Sequence, residues 1–232
     1  MKRCSQIIIR FSDLLISLCA IILLLPLLIV TICLLRFTGE GEIFYFQKRV
    51  GKSKRKVKVI KFATMVKNSP NIGTGTLTIK NDPRVLPVGR FLRKSKINEL
   101  PQLWNVLIGD MSLIGPRPLT LDSFASYTLE GQNTISSVRP GLSGLASIVF
   151  RNEENILLGK MNPKRYYREI IAPSKEGLEI WFVENKSVSL YYRLILATVI
   201  AVIFPKIKIL KFFGLNEIVY KSVSPEWFDV SK

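Results

Sequence analysis

The chain contains no histidine, only three cysteines and half as many acidic residues as basic ones. Each shortage closes off a class of chemistry. Without histidine the commonest general base and the commonest zinc ligand are missing, so acid–base work falls to carboxylates, lysine or tyrosine. Cys4, Cys19 and Cys33 all lie in or beside the first apolar segment and show no CxxC spacing, which argues against a disulfide framework or a structural zinc site. The 17 acidic residues face 34 basic ones, giving a net charge of +17 in 232 residues. Such an excess calls for an anionic partner: nucleic acid, anionic lipid or a phosphorylated substrate. Nucleic acid is the weakest of the three, because no helix-turn-helix, zinc or RNA-binding motif accompanies the charge. What the chain does have is a 48% apolar fraction, usual for a folded protein, and length enough for one globular domain plus one or two membrane elements.

Between residues 14 and 35 there is no charged side chain. The run is long enough to cross a bilayer, which takes about 20 apolar residues. It is too long for a signal peptide and no small-residue cleavage site follows it. Pro26 sits at mid-run, where it removes a backbone hydrogen bond and kinks a helix. Both flanks are basic, with Lys2, Arg3 and Arg10 before the run and Arg36, Lys48 and Arg49 after it. Positive flanks favour the cytoplasmic side. A helix that enters, turns at Pro26 and leaves by the same face satisfies both features, and a single crossing satisfies the length as well. A second apolar stretch, 194–204, ends at Pro205 and is followed by Lys206, Lys208 and Lys211. It is short for a crossing and reads as an interfacial or a core helix.

Between these segments, residues 43–46 and 57–62 are strand-like, and the basic turn Gly51-Lys52-Ser53-Lys54-Arg55-Lys56 joins them into a hairpin. The turn is either a solvated loop or a contact for anionic headgroups. Residues 68–90, rich in Asn, Gly, Thr and Pro, form loop. Within it Gly73-Thr74-Gly75 is a weak phosphate-cradle signal.

Residues 90–119 carry the most information. Leu100, Leu103, Trp104 and Leu107 fall at helical spacing, so a helix buries that face. Asn98 suits its N-cap, Glu99 its first turn, and Pro101 is tolerated within that turn. A helix start offers free N–H groups to a phosphate, and Arg93 and Lys94 just upstream reinforce it. The plainer alternative is that Asn98 and Glu99 only cap the helix. Further on, Pro116 and Pro118 stiffen the backbone on either side of Arg117, whose planar fork suits phosphate or a base edge. Arg139-Pro140-Gly141 repeats the theme.

An ordered series of motifs resembles the bacterial sugar transferase family, the monotopic polyprenyl-phosphate phosphoglycosyl transferases. The series comprises the Pro-interrupted apolar helix, Gln47-Lys48-Arg49-Val50-Gly51, Lys61-Phe62-Ala63-Thr64-Met65, Asp82-Pro83-Arg84 and Gly89-Arg90-Phe91-Leu92-Arg93. It continues through Asn98-Glu99-Leu100-Pro101-Gln102-Leu103-Trp104-Asn105-Val106-Leu107, then Gly109-Asp110-Met111-Ser112-Leu113-Ile114-Gly115-Pro116-Arg117-Pro118, and ends at Arg139-Pro140-Gly141-Leu142-Ser143-Gly144. The resemblance covers residues 8–150 and leaves the charged cluster Phe150-Arg151-Asn152-Glu153-Glu154 without a role.

The resemblance implies an α+β, mainly helical protein. A re-entrant membrane helix broken at Pro26 occupies 1–36. A small hairpin and a compact helical domain with amphipathic interface helices occupy 37–232, with an apolar interfacial segment near 190–205. It also implies a place on the cytoplasmic face of the bacterial inner membrane. The implied reaction moves a phosphosugar from a UDP-sugar to undecaprenyl or another polyprenyl phosphate, releasing UMP, as the first membrane step of exopolysaccharide, capsule or lipopolysaccharide assembly. Mg²⁺ is the implied cofactor, with Glu99 as its ligand and Asp110 as a weaker candidate. Membrane lipid surrounds such an enzyme, and downstream glycosyltransferases or a second copy of the chain are the protein partners it implies.

In the family an Asp-Glu pair supplies the nucleophile and a metal ligand. Asn98 and Glu99 stand at those positions here and are the candidate catalytic residues. Arg93, Arg117, Lys61, Arg139, Pro116 and Pro118 form the candidate substrate-binding set. Two positions depart from the pattern: Ala63 stands where the family usually has Arg, and Asn98 where it has the nucleophilic Asp. A neutral amide is a poor nucleophile toward phosphorus and a weak metal ligand. Two readings follow. In one, Glu99 attacks or the lipid phosphate attacks directly, since phosphoryl transfer depends mostly on positioning and charge neutralisation. In the other, the chain is an inactive relative that binds lipid phosphate or organises glycan-assembly partners.

Overall fold

The computed structural model describes residues 3–204 except 74, 76 and 159, together with residues 214, 215 and 218. Of the residues singled out above, Lys2, Thr74, Pro205, Lys206, Lys208 and Lys211 lie outside the described residues.

The apolar run forms one helix, α1 (Arg3–Phe37), that continues through Pro26. The expected break is therefore no interruption of the helix, because the stretches on either side are long enough to hold helical bonding around the one bond that proline removes. The polarity of α1 is inverted relative to a helix of a soluble domain. Its buried positions are Ile9, Ser12, Asp13, Ser17, Thr31 and Leu35, whereas Leu15, Ile22, Leu23, Ile29 and Val30 are exposed. Polar groups face the protein and leucine and isoleucine face outward, as a lipid-facing helix requires. At the N-terminal end Asp13 Oδ1 accepts from Ser112 Oγ (3.0 Å), Leu113 N (2.8 Å) and Tyr191 OH (2.7 Å). At the other end Leu35 packs with Phe62 and Leu92.

The hairpin forms as expected, with longer strands. β1 (Phe44–Val50) pairs antiparallel with β2 (Lys56–Phe62), Phe44 opposite Phe62 and Val50 opposite Lys56. Pairing carries β1 through the polar Gln47-Lys48-Arg49, beyond the apolar run that marked the strand in the sequence. Period-two alternation divides the hairpin into two faces. One carries Tyr45, Gln47, Arg49, Val57, Val59 and Lys61; the other carries Phe44, Phe46, Ile60 and Phe62.

After the loop come α2 (Pro87–Lys94), a 3-10 turn (Ile97–Glu99) and α3 (Gln102–Ile108). The loop is held by Arg84, which pairs with buried Asp82 (2.6 Å) and donates to the carbonyls of Ser69, Ile72 and Leu77 (2.8 Å each). Asp82-Pro83-Arg84 is thus a loop fastener. Asn105 of α3 accepts from Ile60 N (3.0 Å) and donates to Lys58 O (2.8 Å), standing in for a third strand at the edge of β2. Arg10 closes the far end of α3 by donating to Val106 O (2.7 Å) and Leu107 O (2.8 Å).

The cap expected at Asn98 is absent. Lys96, in the left-handed conformation, precedes the 3-10 turn, and α3 begins only after Pro101. A helix capped by Asn98 would place Pro101 at its third position, removing one of the two N–H groups the cap could accept from, and the other, Leu100 N, donates to Ile97 O instead.

A pairing not foreseen in the sequence joins β3 (Ser112–Ile114) to β4 (Gly141–Ser143) in parallel. Gly141 permits the close approach, since a Cβ there would lie 2.1 Å from Gly115 N. Further helices follow: α4 (Leu121–Phe124), α5 (Leu129–Ser136), α6 (Leu145–Val149), α7 (Glu153–Leu157) and α8 (Pro163–Tyr166), which is joined through a π-helical turn (Tyr167–Ile171) to α9 (Ala172–Glu184). α10 (Val188–Ile203) follows, starting earlier than the apolar run 194–204 because Ser187 caps it by accepting from Leu190 N. Leu145, Leu178, Phe182, Tyr191 and Leu194 bury fully where α6, α9 and α10 meet.

Candidate active site

The hairpin, the 3-10 turn and the Arg117 loop converge on Glu99. Lys61, at the end of β2, donates to Glu99 Oε1 at 3.1 Å. Arg117 donates to the same oxygen at 2.7 Å and reaches Oε2 at 3.5 Å. Oε1 is therefore taken by two cations, while Oε2 holds only the long contact.

The stiffness expected of Pro116-Arg117-Pro118 is supplemented by hydrogen bonds. Pro116 O accepts from Gly141 N (2.8 Å) and Pro118 O accepts from Arg49 (3.1 Å). Between them Arg117 N donates to Glu179 Oε1 at 3.0 Å. Arg49 also donates to Gln47 Oε1, on the same hairpin face as Lys61. At the rim Arg93 pairs with Glu154 at 2.7 Å.

Burial pushes the Glu99 carboxyl up, but the charges of Arg117, Lys61 and Lys96 outweigh it and hold the group well below the usual carboxylate range. Burial brings Lys61 down to about 8 despite the opposing pull of Glu99. Arg49 falls to about 10, through burial and then repulsion from Arg117. Lys96 is lowered by burial. One carboxylate thus sits among four basic side chains, an excess that suits a polyanion. The side-chain atoms Asn98 Oδ1, Gln102 Nε2, Arg49 Nε and Glu179 Oε2 are buried without a hydrogen-bond partner. Each such atom costs about 1–3 kcal/mol until something satisfies it. Arg49 and Glu179 are bonded to the Arg117 loop, Asn98 precedes Glu99 and Gln102 opens α3, while Ser147 Oγ, also unpartnered, lies on α6.

Of the residues singled out in the sequence, Glu99, Lys61 and Arg117 come together, Pro116 and Pro118 flank Arg117, Asn98 precedes Glu99 on the 3-10 turn, and Arg93 pairs with Glu154 at the rim. Arg139 and Asp110 lie past the opposite end of α3, where Arg139 Nε donates to Gly109 O at 2.9 Å. The sequence reading missed Lys96, gave Arg49 no part in the site, and passed over Glu179. The signal for Glu179 was a carboxylate inside the apolar stretch Leu178-Glu179-Ile180-Trp181-Phe182. The unexplained charged cluster is now accounted for: Glu154 takes Arg93, Glu153 takes Lys175, and Arg151 donates to Ala201 O.

For the implied Mg²⁺ the oxygens on offer are Glu99 Oε2 and the unpartnered Asn98 Oδ1. Among the described residues no group of three His, Cys, Asp or Glu side chains gathers to hold a metal. This sparse donor set fits Mg²⁺ carried in on substrate phosphates, with one carboxylate as its protein ligand.

The bacterial sugar transferase profile matches residues 4–205, so the likeness extends past residue 150 through most of the described chain. The exopolysaccharide production protein ExoY of Sinorhizobium fredii is 37% identical over 158 residues, 62% of this chain and 70% of that protein. The UDP-glucose:undecaprenyl-phosphate glucose-1-phosphate transferase of Klebsiella pneumoniae is 35% identical over 176 residues, 74% of this chain and 37% of that protein. The UDP-N-acetylgalactosamine-undecaprenyl-phosphate N-acetylgalactosaminephosphotransferase of Aeromonas hydrophila is 40% identical over 142 residues, 60% of this chain and 33% of that protein. The chain spans about a third of the length of these last two relatives.

Proposed function

The chain belongs to the bacterial sugar transferase family, and from that premise we propose that it moves a phosphosugar from a UDP-sugar to polyprenyl phosphate and releases UMP. The observation that carries this reading is the buried Glu99 carboxylate clasped by Lys61 and Arg117, with Lys96 and Arg49 close by. Such a site neutralises a diphosphate and the charge that builds up as one P–O bond replaces another.

The transfer is direct. An oxygen of the lipid phosphate attacks the phosphorus bearing the sugar, the bond from that phosphorus to the UMP oxygen breaks, and UMP leaves. Asn98 has no nucleophilic oxygen anion, and Glu99 has its charge engaged by two cations, so neither competes well as a covalent nucleophile. Arg117 and Lys61 hold the phosphate oxygens and offset their charge. Asn98 Oδ1 accepts a hydrogen bond from a substrate hydroxyl. Glu99 would hold Mg²⁺ that arrives with the substrate, and the ion would supply further charge neutralisation. Asp110, past the other end of α3, is left out of this assignment.

The same reading places the protein in the cytoplasmic leaflet of the inner membrane with α1 re-entrant, supported by the seating of both ends of α1 on one domain. The relatives' names specify glucose in one case and N-acetylgalactosamine in another, so the sugar is left to experiment.

UMP release by the purified protein, measured over a panel of UDP-sugars with and without undecaprenyl phosphate, tests the proposal. Release that depends on the lipid is expected. A UMP burst without lipid would instead point to a phosphosugar on Glu99. No release with any donor would support the inactive reading that the amide at position 98 favours.

A further inference from the structure

On the side of the hairpin opposite the Glu99 cluster lies a cavity of about 270 Å³ whose lining residues are all apolar. Leu28 and Ile32 of α1, Phe46 and Phe62 of the hairpin, Leu100 just before α3 and Trp104 within it form its walls. We propose that this cavity seats the hydrocarbon tail of the prenyl phosphate acceptor while its phosphate reaches the Lys61–Glu99–Arg117 centre; the inference rests on the transferase reading above.

Three observations converge on an amphiphile of this shape. First, the cavity and the cationic centre are neighbours along the chain at two points. Strand alternation sends Lys61 to Glu99 on one face and Phe62 to the cavity on the other. On the 3-10 turn Glu99 is followed directly by Leu100 and Pro101, both in the cavity wall. A molecule with an anionic head and an apolar tail can bend around the end of β2 and satisfy both.

Second, the lining has no side chain that hydrogen-bonds, apart from the indole of Trp104, so a nucleotide or a sugar would lose its hydration there without recompense. Third, one wall is α1, whose outer side is a continuous run of exposed leucine, isoleucine and valine. A tail can therefore enter sideways from the bilayer without crossing water. The mouth is marked by Phe46, 58% exposed, and Trp104, 55% exposed. Large aromatics left this open beside a cavity mark a binding groove.

The test is photo-crosslinking of the full chain in nanodiscs with a prenyl phosphate bearing a diazirine in its tail, followed by mass-spectrometric mapping. Adducts are expected on residues 21–32, 44–62 and 100–104. Excess undecaprenyl phosphate should suppress them, and excess phosphatidylglycerol should not. Ile60→Trp fills the cavity and Phe46→Glu places a charge at its exposed mouth, where folding is not at stake. Each should cut the adduct yield severalfold and raise KM for undecaprenyl phosphate while leaving KM for the UDP-sugar unchanged. Adducts confined to other regions, or suppressed equally by phosphatidylglycerol, would overturn the assignment and leave a cavity for bulk lipid. Crosslinking needs no turnover, so the two proposals separate. Specific adducts in the cavity without UMP release would sink the transferase reading alone, and UMP release without such adducts would sink the cavity assignment alone.

Discussion

Glu99 holds two cations with one oxygen and keeps the other nearly free. Glu99→Gln keeps the shape but leaves Lys61 and Arg117 facing a neutral amide inside a buried site. Removal of one partner from such a cluster costs more than the pair itself contributes, since the remaining charges lose their compensation. The expected result is a fall in kcat for UMP release of about 10²–10³-fold, in the range seen when one preorganised charge-stabilising group is lost, with a fold that still unfolds cooperatively. Activity within a few-fold of the parent would remove Glu99 from the mechanism. Asn98 tests the complementary point. Its Oδ1 is buried and unpartnered, and an ionised Asp in its place would stand one residue before Glu99, the carboxylate that the basic groups compensate. Asn98→Asp should fold normally and gain a burst of UMP stoichiometric with enzyme in the absence of lipid, detected by quench-flow, because it restores an anionic nucleophile. The mass of the parent protein must be checked first, as deamidation of Asn98 would give the same burst. A variant with no lipid-independent burst would show that position 98 does not face the reacting phosphorus.

Among the elements, α9 carries charge where a helix packed this deeply ordinarily carries none: Lys175, Glu176 and Glu179 are all buried. Glu176 accepts from Thr128 N at 2.9 Å and Lys175 pairs with Glu153, so those two are compensated. Glu179 is compensated on one oxygen only, by Arg117 N, and burial raises its carboxyl from 4.5 to about 7. The folded state then holds the proton more tightly than the unfolded chain. Stability from this group is full below pH 4.5 and is lost as pH rises to about 7, on the order of 3 kcal/mol for a shift of this size. Glu179→Gln keeps an oxygen for Arg117 N and removes the titration. The difference in thermal midpoint between variant and parent should grow in the variant's favour from pH 4.5 to 7 and then level off; a difference constant with pH would mean that Glu179 is ionised throughout. The apolar neighbours Leu178, Ile180, Trp181 and Phe182 signal its burial in the sequence, but its partner could not be read there, because the contact with Arg117 N is long-range. The hairpin was legible because period-two alternation is local, and so was the grouping of Glu99 with Arg117, through the motifs that carry them. The Asn98 cap was misread because the position of Pro101 counted toward a helix start while its missing N–H did not. The β3–β4 pairing could not be read, since three residues on each side are too few for a period to show.

For the molecule as a whole, the question is which side of a membrane each end of α1 occupies. A helix of 35 residues is about 52 Å long if straight, more than enough for a hydrocarbon core of about 30 Å. Length therefore permits a crossing, and the docking of the two ends is what supports the re-entrant arrangement proposed above. Near its start α1 gives Arg10 to the last carbonyls of α3 and Asp13 to Leu113 N of β3. Near its end Leu35 packs on Phe62 of β2 and Leu92 of α2. Those two docking places are themselves joined, because Asn105 of α3 is hydrogen-bonded to the backbone of β2 at Ile60 and Lys58. A crossing helix would have to pull α3 away from β2 and carry one of them through the bilayer, exposing buried backbone bonds to lipid at several kcal/mol each. The basic residues on both flanks, Arg3 and Arg10 at one and Arg36 at the other, agree with a shared cytoplasmic side. The check uses a chain whose native Cys4, Cys19 and Cys33, all exposed on α1, are replaced by serine. Arg3→Cys and Glu40→Cys introduced singly should both resist a membrane-impermeant maleimide in intact spheroplasts and both react in inverted vesicles. Labelling of either position from the periplasmic side would establish a crossing, and the joint seating of Asp13 and Leu35 on one domain would then have to be given up.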